Sequence, residues 1–442
     1  MTQHRIKADL RKRQGLICAI AALACLAAAG PAAAQLGGQL GSGLGLPLGA
    51  PSITGLPGQV VGEAEATADT GRRVVSRVER MRSLVREHPK ALDVDETGNA
   101  VVRGVVIALD PSPASLEIAR RAGFEVSAPE TLDSLDLTTV MLRAPGGLNT
   151  RTAVARLRAL DTNGRYDYDH LYSGAGATSG PGVGLARAPR QGPGGRMVGL
   201  IDTGVASDHP AFGGTTILQQ GFAPGGVRPA AHGTAVASLL VSEAVHDGDN
   251  LVGPRLFTAD VYGRGPTGGS ADAIVHAMAW LGRAQVPVIN VSLVGPPNML
   301  MEAAVRSLVN RGVIIVAPVG NDGPAAPPAF PAAYPGVIAV TGVDSRRRVL
   351  PEAGRGSHLD FAAPGADIRA ARLGGGYLTV RGTSFAAPVV AGELARLLSA
   401  PDRVRAAQAI RVLADEADKD GADLGKGLVG ENLATRSRTT GR

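Results

Sequence analysis

Three short segments of the 442-residue chain supply the side chains that acyl transfer to a hydroxyl group requires. Asp202 follows the apolar residues 198–201. His232 begins a small, apolar stretch, and Ser384 stands in the Gly-Thr-Ser sequence at residues 382–384. Such a reaction uses a hydroxyl nucleophile, a base of near-neutral pKa that accepts its proton, and a carboxylate that orients the base. A backbone N–H at the start of a helix can also stabilise the developing oxyanion.

Each of the three residues also has an ordinary structural interpretation. An Asp after a strand is more often a helix cap or a loop residue, and a Ser after Gly-Thr is by default a helix cap. Most histidines are surface or hydrogen-bonded polar residues. Because spacing along the chain does not show that the residues meet in space, the elements that carry them must be predicted as well.

Short apolar runs alternate with helical patterns from Arg196 onward. The predicted strands are 197–201, 257–261, 286–291, 313–317 and 337–341, and the predicted helices are 232–244, 270–281, 299–310 and 384–398. Uninterrupted apolar strands between helices predict an α/β fold with a mainly parallel sheet and helices on both faces. Active groups in such sheets collect beyond the carboxyl ends of the strands, where Asp202 is predicted to lie.

A different pattern precedes this region. Residues 74–85 predict an amphipathic helix that Pro89 ends, and the segments after it predict strands and helices in the order βαββαβ. These segments are 101–109, 112–122, 124–126, 137–142, 149–160 and 165–168. The order is typical of a small α+β, ferredoxin-like domain, in which Asn149 is a candidate N-cap.

Taken together, the three segments resemble the subtilisin-like serine protease family. The resemblance covers about Arg196 to Ala434 in the Asp–His–Ser order of the family, and the run Gly-Thr-Ser-x-Ala-x-Pro-x-Val-Ala-Gly at 382–392 is highly specific. It implies that Ser384 attacks the scissile carbonyl, that His232 accepts and returns the proton, and that Asp202 orients and stabilises His232.

The segment 319–324 resembles the asparagine segment of the oxyanion hole in that family, although alone it would be interpreted as a turn before Asp-Gly. The resemblance implies that Asn321 and the Ser384 N–H hold the oxyanion. Asp208 competes for the role of the acid, but it stands six residues into the following loop. His209 precedes Pro210, and this His-Pro pair resembles a structural His-Pro pair of the family. His209 is therefore not the expected base.

The sequence departs from the family at several positions. Ala235 stands where a second His is usual, and Ser238 replaces a usual Gly; neither change removes a proton carrier. The segment 291–295 resembles the substrate-lining Ser-Leu-Gly-Gly segment, so the expected substrate-binding residues are Ser292, Leu293 and Gly295. Val294 replaces the first Gly there, and its branched side chain is expected to narrow the S1 pocket or to shift the pairing of the peptide backbone. Residues 262–265 are expected to form the opposite edge, since protease substrates bind as an added strand.

The N-terminus resembles a secretory signal peptide. An apolar run at 16–29 and three alanines at 32–34 follow the basic residues Arg5, Lys7, Arg11, Lys12 and Arg13. These basic residues and Asp9 carry a net charge of +4, so cleavage after Ala34 would lower the formal charge from +6 to +2. A nearly balanced mature chain does not favour a nucleic-acid partner. The alternative is an uncleaved signal anchor; no other stretch is long enough to span a membrane.

Both cysteines, Cys18 and Cys25, lie within this N-terminal segment. The mature chain would therefore contain no cysteine, which excludes disulfides and cysteine-based metal or nucleophile sites. A lipid-anchored Cys25 is the remaining alternative.

The predicted division of the chain is a signal peptide at 1–34, a Gly/Pro-rich linker at 35–72, a propeptide-like inhibitor or chaperone domain at 73–172, a junction at 173–193, a subtilisin-like catalytic domain at 194–435 and a tail at 436–442. The family resemblance implies that the domain at 73–172 is an intramolecular inhibitor that is cut off within 172–190. A permanent accessory domain is the alternative.

Neither a cofactor nor a metal-ligand set can be identified, although the family resemblance leaves a structural calcium ion open. Residues 93–98 resemble the start of a calcium loop, but Gly104 stands where a bidentate Glu is needed, and no ligand set transfers to the loop at 418–421.

The predicted function is that of a secreted, extracellular or periplasmic serine endopeptidase of proteins or peptides, with an acyl-enzyme intermediate and an autoinhibited precursor. The alternative is a catalytically silent secreted binding or surface protein on a protease scaffold. An α/β-hydrolase esterase is disfavoured, because Ala386 occupies the last Gly of Gly-x-Ser-x-Gly and Ser384 comes last in the chain.

Overall fold

The structure is a computed structural model that describes residues 77–175, 177–182, 196–242, 254–417 and 425–429. The predicted signal peptide, the linker, the second calcium-like loop at 418–421 and the tail lie outside the described residues.

Strands and helices are numbered in chain order. The strands are β1 (Leu92–Val94), β2 (Ala100–Leu109), β3 (Glu125–Val126), β4 (Glu130–Leu132), β5 (Leu137–Arg143), β6 (Tyr166–His170), β7 (Ser173–Gly174), β8 (Ala177–Gly182), β9 (Met197–Asp202), β10 (Thr216–Gly221), β11 (Arg255–Asp260), β12 (Val288–Val291), β13 (Leu293–Val294), β14 (Ile314–Pro318), β15 (Val337–Val343), β16 (Phe361–Pro364), β17 (Ala366–Ala371) and β18 (Tyr377–Arg381). The helices are α1 (Arg77–Glu87), α2 (Pro113–Arg121), α3 (Thr150–Leu160), α4 (Ala231–Ser242), α5 (Ala271–Arg283), α6 (Met299–Asn310), α7 (Thr383–Leu397) and α8 (Arg403–Glu416).

Seven parallel strands form the main sheet, in the order β10-β11-β9-β12-β14-β15-β16. Helices α5 and α6 cover one face of it, and α4 and α7 cover the other. The predicted α/β fold with a mainly parallel sheet and helices on both faces is therefore confirmed. Every residue of β12 and β14 is buried, as expected for strands covered on both faces.

Two elements of the main sheet and its helices could not be predicted from the apolar pattern of the sequence. Helix α8 is absent from the predicted elements; half of its apolar residues are alanines, arginines are interspersed among them, and only Ala406, Ala409 and Leu413 are buried. Strand β10 lies at the edge of the sheet and exposes every second residue, so it lacks the continuous apolar run of the inner strands.

The N-terminal domain is an antiparallel sheet in the order β6-β2-β5-β3, with the short strands β1 and β4 added beside β2 and β5. Helices α2 and α3 pack on one face, and the side chains of Ser112 and Asn149 cap their N-termini. These elements follow the predicted βαββαβ order except that the short strand β4 is added between β3 and β5. The predicted helix before Pro89 corresponds to α1.

The other face of this sheet packs against helices α5 and α6. Two carboxylates of β6 lie at the N-termini of these helices: Asp169 Oδ1 accepts from Asp272 N at 3.0 Å, and Asp167 Oδ2 accepts from Met299 N at 2.6 Å. Exposed amides and the helix dipole favour an acidic group at this position. The N-terminal domain is thus held at two helix ends of the main domain.

The predicted junction at 173–193 contains two short strands among its described residues. Strand β7 pairs antiparallel with β13, and β8 pairs antiparallel with β18. These strands are too short, or too rich in Gly and Ser, to give a period in the sequence.

In the part of the chain that the structure describes, no helix combines the length and the apolar composition that crossing a bilayer requires.

Candidate active site

Asp202 is the last residue of β9, inside the sheet between β11 and β12. Its side chain is fully buried, so its oxygens must find donors within the protein. Thr203 N donates to Oδ1 at 2.7 Å, and His232 Nδ1 lies 2.9 Å from both carboxylate oxygens. The carboxyl group therefore fixes the orientation of the imidazole ring.

His232 is the second residue of α4, and the start of this helix lies tightly against the loop after β9. Gly233 N donates to Thr203 Oγ1 at 2.9 Å, and a Cβ atom at Gly233 would lie 2.4 Å from the Thr203 carbonyl oxygen. Only glycine permits this approach, which brings the imidazole to Asp202. On the other side of the ring, His232 Nε2 lies 3.0 Å from Ser384 Oγ.

Ser384 is the second residue of α7 and follows a turn at Gly382, whose φ of 137° favours glycine. Pro388 lies inside this helix and has no N–H, so the Ser384 carbonyl lacks its usual helical donor. Ser292 Oγ replaces this donor at 3.0 Å, and Asn290 Nδ2 in turn donates to Ser292 Oγ at 2.7 Å. Ser292, predicted to bind substrate, thus contacts the helix that carries Ser384.

Two donors converge on the carbonyl oxygen of Ala175. Ser384 N donates to it at 3.1 Å, and Asn321 Nδ2 forms a second hydrogen bond to it. Asn321 Oδ1 accepts from Thr383 N at 3.1 Å, which orients the amide. Two N–H groups aimed at one carbonyl oxygen beside a serine hydroxyl form the arrangement that stabilises a tetrahedral oxyanion.

The segment before Ala175 lies in a cleft between two edges of the main domain. On one edge, β13 pairs Leu293 with Gly174 and Val294 with Ser173. On the other, Tyr172 N donates to the Gly269 carbonyl at 2.8 Å. The segment is therefore the middle strand of three, which is how extended peptides bind by strand addition.

The remaining predicted cleft residues lie around this strand. Gly295 lies beneath the ring of Tyr172. Tyr262, predicted at the opposite edge, contributes a side chain rather than the backbone: its hydroxyl donates to the Tyr172 carbonyl at 3.1 Å. The Cγ1 atom of Val294 lies 3.8 Å from the Cβ position of Gly320, next to Asn321.

The competing candidates lie elsewhere. Asp208 is exposed. His209 Nδ1 accepts from Ala211 N at 3.0 Å and its Nε2 lies 2.7 Å from the Gly376 carbonyl, so both ring nitrogens have structural partners. Ser238, the replacement of a usual glycine, joins α4 to β17 by accepting from Ala371 N at 2.9 Å.

Among the described residues, no group of three or more His, Cys, Asp or Glu side chains could hold a metal ion. The three carboxylates of the first calcium-like segment have other partners, and that of Glu96 accepts from the Tyr168 hydroxyl at 2.5 Å. Asp93 Oδ2 accepts from Thr150 N at 3.1 Å, and Asp95 Oδ1 accepts from Thr97 N and Asn99 N at 2.9 and 2.8 Å.

The sequence reasoning missed the residues that occupy the cleft. Tyr172, Gly174 and Ala175 were assigned to the end of one domain and the start of a junction, and Gly269 was not singled out. The available signal was an aromatic residue followed by three small residues, four positions after the end of the last predicted strand of the N-terminal domain.

Comparison with known proteins gives the class of the main domain. The family model described as the subtilase family matches residues 194–431, just over half of the chain. Subtilisin of Bacillus pumilus is 32% identical over 253 residues, which are 54% of this chain and 90% of that relative. Subtilisin Savinase of Lederbergia lenta is 32% identical over 255 residues, 55% of this chain and 91% of that relative.

The chain therefore belongs to the subtilase family, and its class is that of a serine endopeptidase. A solved structure, that of fervidolysin from Fervidobacterium pennivorans, a keratinolytic enzyme related to subtilisin, is similar in fold, with a TM-score of 0.61 at 20% identity. This similarity covers 78% of this chain and 63% of that one. The alternative of a catalytically silent scaffold is not favoured by these relationships.

We expect Gly233→Ala to separate His232 from Asp202, because the new methyl group would overlap the Thr203 carbonyl. A displacement of about 1 Å at a reacting group can cost about 100-fold in rate, so casein hydrolysis should fall by about that factor. Gly146→Ala is the matched control, since nothing lies within 4 Å of its Cβ position. Thermal melting checks that both variants fold. Full casein hydrolysis by a folded Gly233→Ala variant would show that the close approach of Gly233 to the Thr203 carbonyl is not needed to position His232.

Proposed function

We propose that the protein is an exported serine endopeptidase that uses Asp202, His232 and Ser384 and is made as an autoinhibited precursor. One observation carries this proposal: a hydrogen-bonded series from Asp202 through His232 to Ser384 ends beside a peptide carbonyl that accepts from Ser384 N and Asn321. The basic and apolar N-terminus supports export, with an extracellular or periplasmic destination.

In the proposed reaction, Ser384 Oγ attacks the carbonyl carbon of the substrate while His232 Nε2 takes its proton. The oxyanion of the tetrahedral intermediate accepts from the Ser384 N–H and the Asn321 amide, and Asp202 stabilises the imidazolium. Collapse breaks the C–N bond, and His232 gives the proton to the leaving amine. Water then attacks the acyl-enzyme with His232 again as the base, which releases the acid and restores Ser384.

The position of the Ala175 carbonyl supports a precursor that cuts its own chain after Ala175. This bond lies within the predicted range of 172–190. The N-terminal domain, 73–172 as predicted, is then the inhibitor, because its last residues fill the cleft and β6 holds it on α5 and α6. After the cut, the same contacts would keep it bound as a product.

Ser384→Ala tests the proposal directly. We expect the variant to remain uncut and to hydrolyse casein at least about 10⁴-fold more slowly, since the nucleophile is lost. The unaltered protein should yield a mature chain that begins directly after Ala175, as read by N-terminal sequencing. Equal casein hydrolysis by purified Ser384→Ala would refute the assignment of the nucleophile. A mature chain that begins well before Tyr172 would refute the inhibitory role of the N-terminal domain and favour a permanent accessory domain.

Asn321→Ala should lower kcat by about 10²–10³, because one of the two oxyanion donors is lost. KM should change little, since a donor aimed at the oxyanion acts mainly in the transition state. Kinetics on a peptide anilide measure both values. A rise in KM with unchanged kcat would show that Asn321 binds substrate and does not stabilise the oxyanion.

The contact between β6 and α5 contains a group of acids and a histidine. Burial, together with the carboxyl group of Asp272, raises the pKa of Asp169 to about 8. Burial also raises the pKa of Asp272. On the same helix, burial opposes the charged form of His276, but Asp272 and Glu130 outweigh it and raise the pKa of His276. His276 Nε2 lies 3.0 Å from Glu130 Oε1 of the N-terminal domain.

Asp169 has a raised pKa only while the domains are in contact, because it becomes exposed when the inhibitor leaves. Such a group stabilises the complex fully below its ordinary pKa of about 4, and this contribution is lost as the pH rises through about 8. The raised pKa of His276 acts in the same direction. Rising pH should therefore weaken the hold of the inhibitor.

We expect the cut N-terminal domain to co-elute with the mature enzyme at pH 5.5 and to separate from it at pH 8.5 in size-exclusion chromatography. Asp169→Asn, which stays neutral, should flatten this dependence. Asp167→Asn is the matched control: it keeps an acceptor for Met299 N but removes the negative charge at the N-terminus of α6, so it should weaken the complex while the pH dependence that comes from Asp169 stays in place. Equal retention at both pH values in the unaltered protein would contradict the prediction.

A further inference from the structure

The segment that carries Asn321 is held at both of its ends by the loop between β15 and β16. The carbonyl oxygen of Gly320 accepts from Gly354 N at 3.0 Å. Gly323 N donates to the carbonyl oxygen of Glu352 at 2.8 Å. Gly320 and Gly323 have φ of 90° and 96°, in the left-handed region that favours glycine. The position of Asn321 therefore depends on the position of this loop.

The side chain of Glu352 connects the same loop to the strand that precedes the proposed nucleophile. Arg381 Nε donates to Glu352 Oε1 at 2.7 Å, and Arg381 Nη2 donates to Glu352 Oε2 at 2.9 Å. Such a bidentate pair fixes both distance and orientation, because the planar guanidinium matches the two carboxylate oxygens. Arg381 is the last residue of β18, three positions before Ser384. The ion pair thus joins the segments that carry Asn321 and Ser384.

The same two segments also meet at the oxyanion site. Asn321 Oδ1 accepts from Thr383 N at 3.1 Å, while Asn321 Nδ2 donates to the Ala175 carbonyl. The contacts therefore form a closed ring, with the oxyanion site on one side and the ion pair of Glu352 and Arg381, here called the brace, on the other. The two side chains of the brace are 25% and 45% exposed, and an ion pair with that exposure contributes little to stability. The brace is therefore better placed to fix geometry than to add stability.

We propose that Glu352 and Arg381 are positioning residues for the proposed reaction: the brace fixes the distance between the Asn321 segment and Ser384, so that the Asn321 amide faces the oxyanion. This inference rests on the proposed protease function. Neither side chain needs to touch the substrate, because each acts through the backbone of its own segment. A displacement of about 1 Å can cost about 100-fold in rate, and the contact of Asn321 with Thr383 N limits the displacement, so a smaller loss is expected.

The test measures kcat and KM of the self-processed protein on a peptide anilide for Arg381→Gln and Glu352→Gln. Both variants keep the backbone contacts of the loop and remove only the charged pair. We expect kcat to fall about tenfold in each, with little change in KM, since an oxyanion donor acts mainly in the transition state. The double variant should be no slower than the single ones, because each single change already breaks the brace.

Asn321→Ala supplies a readout that a merely structural role of the brace would not move. In the Asn321→Ala protein, Arg381→Gln should cause no further fall in kcat, because the brace acts through the missing amide. A further tenfold fall in that protein would overturn the proposal. A rise in KM with unchanged kcat, or unchanged kinetics in both folded single variants, would overturn it as well.

Arg348→Gln is the matched control. Arg348 Nε and Nη2 donate to Asp344 Oδ2 at 2.9 and 2.7 Å, so this ion pair is of the same kind but lies wholly within the loop between β15 and β16. The variant should keep its full kcat, and thermal melting checks that all variants fold. An equal fall in kcat for Arg348→Gln and Arg381→Gln would show that the loop as a whole matters and would overturn the role of the brace.

The failure of the brace and the failure of the proposed function give different results. If Asn321→Ala slows the reaction while Arg381→Gln does not, the brace has no positioning role and the protease function stands. If the unaltered protein does not cut casein, the proposed function itself fails. Ser384→Ala, assayed in parallel, identifies any cleavage by a contaminating protease.

Discussion

The fully buried carboxyl group of Asp202 is the constraint on which the geometry of the site depends. A carboxyl group without access to water must be given donors by the protein, and here these are Thr203 N and His232 Nδ1. Helix α4 must therefore begin where β9 ends, and Gly233 allows the two elements to approach closely enough. The parallel sheet makes this arrangement possible, because it brings the carboxyl ends of its strands to one edge.

Pro388 links the helix of the proposed nucleophile to the cleft that holds the peptide. The missing N–H of this proline frees the Ser384 carbonyl, and the Ser292 hydroxyl takes the place of the helical donor. Ser292 directly precedes β13, the strand that pairs with residues 173 and 174. A residue predicted to bind substrate thus fixes the distance between the nucleophile and the strand that positions the substrate.

Sequence reasoning could predict the parts of the site that depend on local signals. Asp202 ends a strand with a strong apolar pattern, and His232 and Ser384 begin apolar helices. In a parallel sheet with helices on both faces, the carboxyl ends of the strands and the helix N-termini that follow them lie at the same edge. The filling of the cleft could not be predicted in the same way. Residues 173 and 174 form a two-residue strand without a period, and their partners lie about 120 positions away in the chain. The hydrogen bonds of Asp169 with α5 and of Asp167 with α6 join residues 103 and 132 positions apart in the chain, so no local pattern indicates them.

Two attachments of the N-terminal domain are close together in the chain but differ in kind. The contact of Asp169 with α5 depends on the proton of its carboxyl group, whereas Tyr172 and the residues after it act through shape and backbone pairing. Only Leu171 separates β6 from Tyr172, so when one attachment is made the other forms at a high effective concentration. Cutting the bond after Ala175 would leave both attachments intact. Release therefore requires weakening one of them, and the contact of Asp169 with α5 weakens as the pH rises. Its loss would reduce the effective concentration of the tail and open the cleft to substrates.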